Sequence, residues 1–107
     1  MSLFGLINPN KGIQQISADE LRNRMRHEKL VIIDVREPSE HSAKNIPGSI
    51  LIPLGALPSR LHELEKFKDQ EIIVYCRSGN RSAHACRHLI GNGFKAINLS
   101  GGILAWD

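Results

Sequence analysis

Two short runs of β-branched residues constrain the fold of this chain more than any other feature of its sequence. Residues 30–35 and 71–75 are apolar at both odd and even positions, apart from one acidic residue in each run. Successive side chains of a strand face opposite sides of a sheet, so both faces of these strands must be covered. Such strands are typical of parallel sheets that lie between two layers of helices.

Helical and strand patterns alternate along the rest of the chain. A capping pattern, Ser17-Ala18-Asp19-Glu20, predicts the start of a helix. Further helical segments are predicted at 37–40, 57–67, 82–90 and in a short turn through Trp106, and further strands at 49–52 and 95–99. We therefore expect an α/β fold with a mainly parallel central sheet of about five strands and helices on both faces.

Length and composition narrow the classes of protein to consider. The 107 residues allow a single domain over residues 1–107, with an N-terminal extension over 1–12. Two cysteines are too few for a disulfide framework, and the start has neither a basic segment nor a long apolar run. We expect a cytoplasmic protein that contacts no membrane. The net charge of +3 is scattered and aromatic residues are few, which argues against nucleic acid as a partner.

Cys76 directly follows the second apolar run, at the end of a strand where α/β sheets bind their ligands. The loop after it enters a helix, so free backbone N–H groups and the positive helix end can face the sulfur. Together with Arg77 and Arg81, they are expected to lower the pKa of the thiol and favour the nucleophilic thiolate. The alternative is a cysteine that merely follows a buried strand.

The other residues of this loop suit an anion site. Gly79 permits a tight turn, and Ser78 and Ser82 can donate hydroxyl hydrogen bonds. The predicted site is Cys76 as the catalytic residue, with the binding residues Arg77, Ser78, Gly79, Asn80, Arg81 and Ser82.

Three motifs in this order resemble the rhodanese-like domains, over about residues 14–106. They are Asp34-Val35-Arg36 with Glu40 and Ile46-Pro47-Gly48-Ser49, the Cys76 loop, and Gly101-Gly102-Ile103-Leu104-Ala105-Trp106. The resemblance implies a rhodanese-like fold and a sulfurtransferase. In that family a cysteine takes sulfane sulfur from a donor such as thiosulfate, becomes a persulfide, and passes the sulfur to cyanide or a thiol. Cys76 matches that cysteine.

The resemblance also implies partners and cofactors. The partners are a small anionic sulfur donor, a thiol or cyanide acceptor, and a protein that accepts sulfur. No metal and no organic cofactor is expected. Lys44 and Asn45 stand where the family often has Gly and His, and we interpret both positions as scaffold.

Two other functions stay open. The loop also resembles that of phosphatases and arsenate reductases of related fold, in which five residues separate the cysteine from an arginine. Here only four residues separate Cys76 from Arg81. The shorter ring should fit one sulfur atom and crowd a tetrahedral phosphate. A non-catalytic or carrier module of rhodanese-like type is the second alternative, against which the intact cysteine and arginines count.

Other polar residues are interpreted as structural. Asp34 ends a covered strand, so its carboxylate should be hydrogen-bonded or paired with a cation. Arg36 and Glu40 are expected to form a local ion pair. Cys86 shares a helix side with Ala83 and Ile90 and is predicted to be a small core residue rather than a resolving thiol. His84 and His88 are assigned to a solvated helix face, not to a metal.

Overall fold

The structure is a computed structural model, and it describes residues 12–107 of the chain. Strands and helices alternate in it, as the sequence pattern predicts. In chain order they are β1 (Gln15–Ile16), α1 (Ala18–Met25), β2 (Val31–Asp34), α2 (Pro38–Ala43), β3 (Ile50–Leu51), α3 (Leu57–Arg60), β4 (Glu71–Tyr75), α4 (Asn80–Gly91), β5 (Lys95–Leu99) and α5 (Gly102–Trp106). The N-terminal extension predicted over residues 1–12 lies outside the described residues except for Gly12.

The five strands form one parallel sheet in the order β1-β5-β4-β2-β3. β4 lies at its centre and pairs with β2 on one side and β5 on the other. The predicted parallel sheet of about five strands is therefore confirmed. Because all strands run the same way, the loops that follow β2, β4 and β5 emerge at one edge of the sheet.

Helices cover both faces of this sheet, and each face has its own apolar cluster. α3 and α4 pack on one face, where Leu57 and Leu89 meet Ile72 and Val74 of β4. α1 and α5 pack on the other, against the alternate residues of β4. That second cluster contains Leu21, Ile73, Tyr75, Leu99 and Ile103. The alternation of β4 side chains between the clusters explains why its sequence is apolar at every position after Glu71.

The predicted helix over residues 57–67 is only partly correct. A 3₁₀ turn at Leu54–Ala56 precedes α3. α3 ends at Arg60, and the chain then continues as a second 3₁₀ segment, Leu61–Phe67. Leu61, Leu64 and Phe67 recur every third residue, which matches the three residues per turn of a 3₁₀ helix. The tighter winding keeps all three on the side that packs against the core.

None of the helices described over residues 12–107 is long and apolar enough to cross a membrane.

Candidate functional site

The predicted site residues lie together where β4 passes into α4. Cys76 follows the last residue of β4, and Asn80 is the first residue of α4. Gly79, between them, has a φ of 114°, a backbone conformation that residues with a Cβ rarely adopt. This turn lets the N–H groups at the start of α4 point back toward the sulfur.

The sulfur of Cys76 accepts hydrogen bonds from this turn. The Gly79 N–H lies 3.1 Å from Sγ and the Ser82 hydroxyl 3.3 Å from it. Burial acts to raise the pKa of Cys76, but hydrogen bonds from the Ser82 side chain and from the backbone of Ser82, Gly79 and Ser78 bring it below its ordinary value. The predicted direction is therefore found, although hydrogen bonds rather than the arginines dominate it. Such a ring of donors can hold a thiolate or another anion.

The sulfur lies at the bottom of the loop rather than on its surface. Cys76 as a whole is only 1% exposed, while Arg77, Ser78 and Asn80 are exposed around it.

The two arginines of the loop differ in their surroundings. Arg81 forms a bidentate pair with Glu40 of α2, with N–O distances of 2.8 and 2.9 Å. The pair lowers the pKa of Glu40 to about 2. Arg77, in contrast, is exposed and has no ion-pair partner within residues 12–107. The free positive charge at the mouth of the loop thus belongs to Arg77.

The ion pair expected between Arg36 and Glu40 is wrong. Arg36 lies before α2 begins at Pro38, so the four-residue spacing does not place the two on one helix face. The Arg36 guanidinium turns back to Asp34 instead, with contacts of 2.8 and 3.0 Å. Glu40 is left to pair across the fold with Arg81.

Asp34 is paired, as the sequence predicts for a carboxylate at the end of a covered strand. It is fully buried, and His41 Nδ1 lies 2.9 Å from its Oδ2. Burial acts to raise the pKa of Asp34, but hydrogen bonds from Arg36 and His41 lower it overall. Arg36 also donates to the Lys44 carbonyl at 2.6 Å, so this buried cluster ties β2 to the end of α2. Lys44, which we interpret as scaffold, contributes its backbone carbonyl to this cluster.

The Gly101-Gly102 motif lies directly against the cysteine loop. The N–H groups of Ile103 and Leu104 donate to the carbonyls of Cys76 and Arg77, at 2.9 and 3.2 Å. A Cβ placed on Gly102 would lie 2.4 Å from the Arg77 carbonyl oxygen and 2.5 Å from that of Cys76. Only glycine therefore lets the start of α5 hold the loop from below.

Asn98 of β5 is a residue of this site that sequence reasoning missed. It is 1% exposed, and its Oδ1 lies 2.5 Å from the Ser82 hydroxyl. Its Nδ2 donates to the Gly79 carbonyl at 3.2 Å and to Gln15 Oε1 at 3.2 Å. The available signal was a lone amide in a strand that is otherwise covered and apolar after its first residue.

Cys86 is buried in the core, as predicted. It is 0% exposed and packs in the same apolar cluster as Cys76. Burial first, and then the charge on Cys76, raise the pKa of Cys86 to about 12. Among residues 12–107 no three His, Cys, Asp or Glu side chains come together as a metal site.

Comparison with known proteins places the chain in a family. The profile of the rhodanese-like domain matches residues 17–107. A sulfurtransferase of Allochromatium vinosum is 35% identical over 96 residues, which cover 88% of each protein. The thiosulfate sulfurtransferase GlpE of Pseudoalteromonas translucida is 32% identical over 95 residues, covering 88% of this chain and 89% of that protein.

A solved structure agrees with these relatives. The crystal structure of a rhodanese-like domain protein from Staphylococcus aureus has a TM-score of 0.84 and 34% identity, and the match covers 89% of this chain and 92% of that one. The names of the two relatives support sulfur transfer of the rhodanese type. This chain therefore belongs to the family of rhodanese-like domains.

Proposed function

We propose that this chain transfers sulfane sulfur from thiosulfate, or a similar anionic donor, to cyanide or a thiol through a persulfide on Cys76. The observation that carries the proposal is the pair of donors that face Sγ, the Gly79 N–H at 3.1 Å and the Ser82 hydroxyl at 3.3 Å. These donors favour the thiolate at a buried position, where a thiol would otherwise keep its proton.

The reaction balances without an outside oxidant or reductant. The Cys76 thiolate attacks the outer sulfur of thiosulfate, and the donor S–S bond breaks with its electron pair leaving on sulfite. The persulfide then carries its negative charge on the outer sulfur, where the N–H groups of the loop can stabilise it. Cyanide or a thiolate attacks that outer sulfur, and the electron pair of the broken bond returns to Cys76 Sγ.

The two arginines would serve different steps. Arg77 is exposed and unpaired among the described residues, so it attracts the anionic donor toward the loop. The guanidinium of Arg81 is fixed by two contacts to Glu40, which offset much of its charge at a distance. We assign to Arg81 a short-range contact with the bound anion and to Ser78 and Asn80 the rim of its binding site.

Thiosulfate to cyanide transfer, measured as thiocyanate, tests the proposal most simply. Removal of the nucleophile in Cys76→Ser should lower turnover by at least about a thousandfold. Cys86→Ala is the matched control, because it removes the other buried thiol of the same cluster, and it should retain activity within about twofold.

The same preparations separate the alternatives. If the protein hydrolyses an aryl phosphate and this hydrolysis depends on Cys76, the protein is a phosphatase and the proposal is wrong. A domain that takes up sulfur from thiosulfate but does not deliver it to cyanide or to small thiols would be a carrier. Unchanged thiocyanate formation in Cys76→Ser would contradict the mechanism itself.

A further inference from the structure

We propose that Asn98 is a positioning residue that controls where the Ser82 hydroxyl proton points, and through it the balance between thiolate and persulfide on Cys76. This inference rests on the proposed function and adds a residue of β5 to it. Asn98 acts on the sulfur through Ser82, whose hydroxyl lies 2.5 Å from Asn98 Oδ1 and 3.3 Å from Cys76 Sγ.

The orientation of the Asn98 amide is fixed by the backbone. Its Nδ2 lies 3.2 Å from the carbonyl oxygen of Gly79, which can only accept a hydrogen bond. The carbonyl end of the amide must therefore be the atom that faces Ser82. Asn98 Oδ1 has no proton, so any hydrogen bond across the 2.5 Å between the two oxygens is donated by Ser82.

Ser82 has one hydroxyl proton and two competing acceptors. When the Ser82 hydroxyl donates to Asn98, its oxygen presents a lone pair to Cys76 and can accept a hydrogen bond from a neutral thiol. When Cys76 is a thiolate, the proton gains more by turning to the charged sulfur. In the persulfide the charge lies on the outer sulfur and Sγ becomes a poor acceptor. The Ser82 hydroxyl then turns back and donates to Asn98.

Asn98 therefore stabilises the two states in which Sγ is uncharged, the thiol and the persulfide, relative to the thiolate. The side chain is 1% exposed and Ser82 is fully buried, so water does not readily replace either acceptor. Removing Asn98 should favour the thiolate, and removing the Ser82 hydroxyl should disfavour it.

The first test is the rate of Cys76 alkylation by iodoacetamide across pH, followed by mass spectrometry of the Cys76 peptide. Asn98→Ala should speed alkylation about fivefold at pH values where wild-type Cys76 is mostly protonated, the effect of about one hydrogen bond. Ser82→Ala should slow it. Arg81 of α4 also interacts with Cys76 by charge, Glu40 of α2 interacts with Arg81, and Cys86 of α4 stays a neutral thiol in this pH range, so none of these groups is altered.

A double-mutant cycle separates this role from a structural one. If Asn98 acts through the Ser82 proton, Asn98→Ala should have no effect on alkylation in a Ser82→Ala background. An equal effect in both backgrounds would overturn the proposal and assign Asn98 to its contact with the Gly79 carbonyl.

A second variant covers the case in which Asn98→Ala does not fold. Asn98→Asp keeps the shape and a stronger acceptor, so alkylation should become slower than in the wild type, the opposite sign. Faster alkylation would contradict the proposal.

Release of sulfur from the loaded protein gives a second readout. Asn98→Ala should give up persulfide sulfur to cyanide about fivefold faster, because the persulfide loses a stabilising contact and the thiolate does not. A slower release, with alkylation still accelerated, would overturn the assignment of the persulfide state. Alkylation needs no sulfur transfer, so a failure of the proposed function leaves the first test intact.

Discussion

Cys76 and Cys86 lie in one apolar cluster, are 1% and 0% exposed, and differ in almost every chemical respect. The pKa of Cys76 lies below its ordinary value, whereas that of Cys86 is raised to about 12. Burial acts in the same direction on both thiols. The difference comes from hydrogen bonds, which reach Cys76 from Ser82, Gly79 and Ser78.

The position of each cysteine in the chain explains why only one has donors. Cys76 follows a strand and faces the first turn of α4, where backbone N–H groups have no partner within the helix. Cys86 lies in the middle of α4, where each N–H is used by the carbonyl four residues before it. We therefore expect the thiol at the helix start to be a nucleophile and the thiol in the helix interior to be unreactive.

Alkylation should show the largest difference between the two thiols. We expect Cys76 to react in the folded protein and Cys86 to react only when the core opens, with rates at pH 8 that differ by at least about a thousandfold. Mass spectrometry of the two peptides after timed exposure to iodoacetamide measures both rates. Comparable rates without denaturant would contradict the account, and in urea the rates should converge.

Gly102→Ala should reduce the difference in reactivity between Cys76 and Cys86, because it displaces the Cys76 loop. The added Cβ would lie 2.4 Å from the Arg77 carbonyl oxygen, in a residue whose φ is +60°. A loop shift of about 1 Å should reduce thiocyanate formation about a hundredfold, with a loss of roughly 2–3 kcal/mol in the free energy of unfolding.

Gly48→Ala is the matched control for this loop substitution. Its φ is +81°, but nothing lies within 4 Å of the added Cβ, so it tests backbone strain without a clash. We expect a loss of about 1 kcal/mol in stability and no change in activity. Equal losses of activity in the two variants would show that the loop does not depend on contact with Gly102.

The raised pKa of Cys86 should make stability depend on pH. Above the ordinary thiol pKa of 9.0, the unfolded chain releases the Cys86 proton while the folded chain keeps it to about pH 12. Unfolding is thereby favoured, so the wild type should lose about 1.4 kcal/mol per pH unit above pH 9 relative to Cys86→Ala.

Urea unfolding of both proteins at pH 8, 9 and 10 measures this difference. At pH 8 the wild type should be the more stable of the two by about 1 kcal/mol, because the alanine leaves a small cavity. The advantage should shrink as pH rises. A constant difference across this range would mean that Cys86 is not held as a neutral thiol.

Glu40→Gln should have the smallest effect. The pair with Arg81 lowers the pKa of Glu40 from 4.5 to about 2, so its stabilisation is complete above pH 4.5 and disappears as pH falls toward 2. Because Arg81 is 37% exposed, the pair should contribute no more than about 1 kcal/mol. Thermal unfolding at pH 6 and pH 2.5 should show a deficit in the variant that is clearly smaller at the lower pH.

The sequence predicted most of the sheet but not its first strand. β4 and β5 agree with the predicted bounds, since both are apolar runs that end at a turn. β1 is two residues long and has no pattern of its own, because it exists only through pairing of Gln15 with Asn98 and Ile16 with Leu99. The helix predicted over 57–67 was correct to Arg60 but wrong in type over Leu61–Phe67, because spacings of three and four are hard to distinguish over so short a segment.

The candidate site was predictable where it is local and not where it is tertiary. The loop from Cys76 to Ser82 could be proposed from its place between a strand and a helix. The Glu40–Arg81 pair and the Asn98–Ser82 contact join residues 41 and 16 positions apart, which no spacing rule connects. The first contact fixes the position of the Arg81 guanidinium, and the second supplies a competing acceptor for the Ser82 hydroxyl.

Mass spectrometry after treatment with thiosulfate tests the central claim most directly. The account predicts one added sulfur atom on the Cys76 peptide and none on the Cys86 peptide, with the addition removed by cyanide. Sulfur on Cys86, or equal uptake in Cys76→Ser, would contradict it.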